Sequence, residues 1–237
     1  MPWDFIFILI FLAVGVPLLG RRRIRQLMAM PSTTKRDRLR LYVSTVLSQW
    51  FAVATIFWRC RAHGISMGQL ALAVPNPRLV DFISVGLATL LVANQIFGIR
   101  QLTSRPEKIT CIMPKLALRI FPKDNIERAC FVLVVTTVAF CEELIYRGFV
   151  QWIFEDWAKG LAVVGIIASA LLFGLAHLYQ GRQGLIVTSI WGLAFSLLRA
   201  WTGSLLPLVI GHFAADLTVG MLAPARLSAA LHRHSVA

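Results

Sequence analysis

The chain alternates long apolar runs with short charged segments. Apolar stretches fall at roughly 4–20, 41–58, 79–98, 129–154, 160–178, 184–201 and 204–222. Most approach or exceed the ~17–25 residues that carry an α-helix across a bilayer. The pattern predicts an all-α fold, a polytopic transmembrane bundle of about seven to eight helices, as one integral membrane domain over 1–237. No hydrophilic block is long enough for a second domain. No internal repeat is evident, which weighs against a transporter built from two similar halves. The stretch GISMGQLALAV (Gly64 to Val74), closed by Pro-Asn-Pro, is too short to span and is expected at the membrane interface.

Composition agrees with the pattern: 57% of residues are hydrophobic and 15% charged, against roughly 25% charged in soluble domains. Asp4 precedes the first run and RRRIR (21–25) follows it. A secretory signal would place basic residues in front, so a retained first helix is expected. Cys60, Cys111, Cys130 and Cys141 have neither CxxC spacing nor a histidine cluster beside them. They are expected to pack as small apolar residues.

A net charge of +13 raises the question of nucleic acid. The placement of the charge answers it, because the basic residues flank the apolar runs. With the N-terminus outside, the cytoplasmic segments carry 18 Lys and Arg and the outer segments 5. Positive loops mark the cytoplasmic side. The expectation is therefore an N-terminus outside, a C-terminus in the cytoplasm and no nucleic-acid partner. Membrane lipids are the expected neighbours, with segments 21–40 and 99–128 on anionic head groups. The excess of arginine over lysine points to a GC-rich bacterial genome, and the expected location is a bacterial plasma (inner) membrane.

Several ionisable residues lie inside the apolar runs, where a charge costs about 2.5–3.5 kcal/mol on insertion scales. Glu143 and Arg147 are four residues apart and can pair on a helix, which a packing role would explain. Glu142 then has no local partner, and a buried carboxylate of that kind suits proton transfer. His177 ends the fifth run; alone, it reads as an interfacial histidine. His212 and Asp216 share a helix face; alone, they read as a packing hydrogen bond. Together they are less ordinary, since three separate spans contribute polar groups, with Glu142 and His212 expected near mid-membrane and His177 towards the cytoplasmic side. A water-filled pocket opening inward is expected to hold them, with a carboxylate and an imidazole activating water and a second imidazole near a developing oxyanion.

The motifs EELIYR (142–147), FGLAH (173–177) and HFAAD (212–216) occur in that order on consecutive apolar segments. The set resembles the CPBP family, the CAAX-processing and bacteriocin-processing intramembrane proteases also called the ABI family. The similarity covers about residues 126–222, the expected catalytic core. It implies an intramembrane endopeptidase of the glutamate type, acting on a membrane-associated or lipid-modified protein or peptide. Carried onto this chain, Glu142 and His177 polarise the attacking water, and His212 and Asp216 stabilise the oxyanion. Glu143, Arg147 and Phe173 support the site. Asp216 stands where better-studied prenyl-protein members have asparagine. An ionised aspartate repels an oxyanion, so Asp216 either carries a proton or orients His212. Family members commonly have about eight spans, against the seven counted here.

Two histidines and two carboxylates are also a zinc-type donor set. HExxH is absent, and the resemblance favours a metal-free mechanism, so no cofactor is expected. Cys141 adjoins Glu142 but faces elsewhere on a helix. Two rival readings stay open: a non-catalytic scaffold or immunity-type protein of the same fold, and a proton-coupled transporter.

Overall fold

The computed structural model describes residues 1–104 and 112–235, so Cys111 lies outside the described residues. Those residues form eight helices. Helix α1 (Trp3–Ala29) carries a π-helical turn at Phe11–Gly15. It is followed by α2 (Lys35–Ala62), α3 (Pro77–Thr103) and the short α4 (Ile112–Ile120). Then come α5 (Asn125–Trp157), α6 (Ala162–Ala176), α7 (Gly181–Thr202) and α8 (Leu206–Ser235). Six of these, all but α4 and α6, are long and apolar enough to cross a membrane.

Local chemistry fixes several helix starts. Thr34 and Asp37 form a reciprocal cap on α2, Asn76 caps α3, and Asp124 caps α5 by accepting from the Glu127 N–H. Each cap satisfies amide groups that the first helical turn leaves without partners.

The bundle turns much of its apolar surface outward. Phe51 and Phe82 are each 76% exposed, a placement that suits hydrocarbon rather than water. Helix α3 packs along α8, with Leu87 and Leu91 on Leu208 and Ala215. Helix α6 lies between α5 and α7 at very close range. A Cβ on Gly165 would overlap the Gln151 carbonyl, and one on Gly174 would overlap the Ser189 hydroxyl. Small residues at such crossings let helix backbones approach where lipid offers no hydrophobic driving force.

The two basic segments meet at one end of the bundle. Arg119 donates to the carbonyls of Leu27 and Met30, Thr33 donates to the Arg119 carbonyl, and Lys35 pairs with Asp124 at 2.8 Å. Beneath them Arg38 grips Glu127 with two hydrogen bonds, at 3.0 and 2.7 Å, tying α2 to α5. At the other end, Asp4 of α1 accepts from Arg59 of α2 at 2.5 Å and pairs at 3.0 Å with His63, just past the end of that helix.

One element differs from the sequence expectation. The fifth apolar run forms a helix of only 15 residues. Its C-terminal end still emerges beside Gly20 of α1, where Tyr179 would lie 3.6 Å from a Cβ. The segment 64–74 also packs into the bundle. Leu70 and Ala71 are buried against α5, and Leu205 N–H donates to the Ala71 carbonyl at 2.8 Å. The absence of a side chain at Gly148 makes the room, since a Cβ there would stand 3.2 Å from the Leu70 carbonyl oxygen. The described cysteines, Cys60, Cys130 and Cys141, are free thiols, two of them buried in the apolar core.

Candidate functional site

The ionisable residues singled out in the sequence come from α5, the end of α6 and α8, and three of them, Arg147, His177 and His212, meet around one aromatic ring. Phe173 of α6 carries the Arg147 guanidinium on its face, 4.0 Å from the ring centroid. The rings of His177 and His212 lie 4.6 and 6.4 Å from it. Phe195 of α7 stands on the other side of Arg147, at 5.4 Å. A planar guanidinium between two aromatic faces is held by cation–π attraction in a way that lysine would not reproduce.

Glu143 links the helices. Its Oε1 accepts from Arg147 Nη1 at 3.1 Å within α5 and meets His212 Nδ1 of α8 at 2.8 Å. The Glu143–Arg147 pair follows from the spacing; the bond to His212, 69 residues away, does not. Nε2 of His212 faces Asp216 at 3.5 Å. The Asp216 side chain is 37% exposed, so this edge of the cluster opens outward.

Glu142 points elsewhere. Its Oε1 accepts from Gln49 Nε2 of α2 at 3.1 Å, while Oε2 is buried with no partner among the described residues. Gln49 was not among the residues chosen from sequence. It is one of several polar residues in the α2 run, and nothing local marks it.

His177 closes the last turn of α6. Its Nδ1 is 2.8 Å from the Phe173 carbonyl oxygen, one of the acceptors a helix end leaves free. A carbonyl can only accept, so Nδ1 carries the hydrogen. In the neutral ring that leaves Nε2 as an acceptor.

Two surface cavities, of about 640 Å³ along Lys35 to Leu47 and about 340 Å³ beside Met1, His63 and Asp156, are lined by none of these site residues. The site is a packed polar cluster rather than either of these cavities. Among the described residues, no group of three or more His, Cys, Asp or Glu side chains has metal-holding geometry.

Residues 125–218 match the family model of Rce1-like proteins, described as type II CAAX prenyl endopeptidase Rce1-like. No curated protein and no solved structure matches the chain. The matched segment contains Glu142, Glu143, Arg147, Phe173, His177, His212 and Asp216, and leaves out Gln49. That match shows the resemblance of this segment to the CPBP/CAAX protease family, which the three motifs carry.

Proposed function

We propose that the chain is an intramembrane endopeptidase that hydrolyses a peptide bond of a membrane-associated protein or peptide, a lipid-modified tail being the substrate class the family match favours. One observation carries the reading: Glu142 keeps an unpartnered buried Oε2, and His177 keeps a free acceptor nitrogen because its Nδ1 is committed to Phe173. A water between these two groups has a proton acceptor on each side.

In this mechanism the water gives a proton to the Glu142–His177 pair as its oxygen adds to the scissile carbonyl. The carbonyl oxygen becomes an oxyanion, and His212, as an imidazolium with a hydrogen on each nitrogen, donates to it from Nε2. Glu143 fixes the imidazole from the Nδ1 side. Asp216, only 3.5 Å from Nε2 and partly exposed, orients the ring and yields that nitrogen when substrate enters. The tetrahedral species collapses with loss of the amine, which takes the proton held by the pair. General acid–base transfer and a preplaced oxyanion donor are each worth orders of magnitude in rate. We place the catalytic core at 126–222 within a single membrane domain, in a bacterial plasma membrane with the basic end cytoplasmic.

The test compares protein N-termini in membranes of cells making the wild type and Glu142→Gln at equal abundance. New termini seen only with the wild type support the reading and name the substrate and bond together. Identical termini overturn it and leave a scaffold.

A further inference from the structure

Glu143, Arg147, Gln151 and Glu155 stand four residues apart on α5, and the first three are completely buried. In a regular α-helix a four-residue step overshoots the turn by about 40°, so such a row would wind away from any one neighbour. The π-helical segment Leu144–Val150 has wider turns, which close on the fifth residue rather than the fourth. The row is thereby kept closer to one line. Helices α6 and α7 set polar groups along it. Ser196 Oγ donates to Ser169 Oγ at 3.1 Å, and Ser169 Oγ donates to the Tyr146 carbonyl at 2.9 Å. Gln151 Nε2 donates to Glu155 Oε1 at 3.0 Å and to the Ser196 carbonyl at 3.2 Å. Arg199 donates to Glu155 at 2.7 Å and to the Gln69 carbonyl at 3.3 Å. A polar column thus runs from His212 and Glu143 in the site to Gln69 at the other end of α5.

This column is not fully satisfied by protein. Glu143 Oε2, Arg147 Nε and Nη2, Gln151 Oε1 and Arg199 Nε are buried with no partner among the described residues. A buried polar atom left unpaired is costly, most of all when charged. Native proteins meet such groups with ordered water where the surroundings are polar. Phe149, two residues from Arg147, offers the contrast: it is completely buried on Phe5 in the apolar core.

We propose that the column is a water-binding site. It holds a file of water molecules between Arg147 and Arg199, and through it water reaches the candidate site from the Gln69 end of the bundle, separately from the exposed edge at Asp216. What the water is used for rests on the hydrolytic reading above; the hydration itself does not.

Hydroxyl-radical footprinting of the full chain in lipid nanodiscs tests this without any substrate. In the wild type, Phe195, which lines the column at Arg147, is expected to oxidise about tenfold faster than Phe149, because radicals form from water bound beside it. Gln151→Leu interrupts the file and lowers Phe195 labelling by about the same factor, with His177 labelling unchanged. Phe195 labelling no faster than Phe149 in the wild type means a dry column and overturns the proposal. Equal Phe195 labelling in wild type and Gln151→Leu overturns it too, since the water would then come from the Asp216 edge. Where Gln151→Leu does not fold, Ser196→Ala removes one donor with little volume and is read the same way. A hydrated column in a chain that cleaves nothing discards only the hydrolytic reading; cleavage with a dry column discards only this one.

Discussion

Gln49 on α2 donates to Glu142 on α5 at 3.1 Å, across 93 residues of chain. The candidate site is thereby tied to a helix that the family match does not reach. The bond holds one carboxylate oxygen and leaves the other for water. Gln49→Leu removes a hydrogen bond to a charged group, worth about 1.5–3 kcal/mol, and is expected to lower the cleavage rate by roughly 10- to 150-fold. Rates measured in membranes at matched protein abundance check this, and an unchanged rate would leave Gln49 a bystander.

Arg147 has no substitute of its own kind. Arg147→Met keeps the apolar stem but leaves Glu143 buried and without its cation, and breaking one partner of a buried pair costs about 3–5 kcal/mol. Thermal unfolding in detergent is expected to show a large fall in Tm. Pairing it with Glu143→Gln is expected to recover part of that fall, because the orphaned charge is then gone. No recovery in the double variant would place the effect in the lost stacking on Phe173 instead.

The clamp between Arg38 and Glu127 is far from the site and equally buried. Glu127→Gln leaves the guanidinium without a counter-charge, and the same 3–5 kcal/mol range applies. The expected result is a lower Tm with cleavage per folded molecule kept near wild type. A loss of rate per folded molecule would mean that the α2–α5 clamp sets the position of Gln49 as well.

Gly174→Ala forces a methyl group into Ser189 across the α6–α7 contact. Overpacking of this kind costs about 1–3 kcal/mol, and the strain falls three residues before His177. Both Tm and cleavage are expected to drop, and Ser189→Gly in the same chain is expected to restore them. Failure of the second change to rescue would show that the loss does not come from the clash with Ser189.

Much of this was legible in the sequence. Burial of charge in apolar runs is rare enough to single out Glu142, Glu143, Arg147, His212 and Asp216, and the four-residue spacing announced both the Glu143–Arg147 pair and the approach of His212 to Asp216. What spacing could not supply were contacts between distant helices. Glu143 to His212, Gln49 to Glu142 and Arg38 to Glu127 each join residues dozens of positions apart. Arg38 sits in a basic flank that reads as lipid-facing, and Glu127 in a charged lead-in to α5. Their partnership exists only once α2 and α5 pack. The packing of segment 64–74 was out of reach for a related reason: Leu70 meets Gly148 only once that segment folds onto α5.

Helix α6 presents Val163, Ile167 and Leu171 outward, yet its 15 residues reach only about 22 Å in hydrocarbon about 30 Å thick. Standing upright across the bilayer, it leaves roughly 8 Å of that layer unmatched. A spanning helix that short is met by local thinning of the bilayer, snorkelling of flanking side chains or oligomerisation, so α6 is the element at which bilayer thickness bears on this bundle.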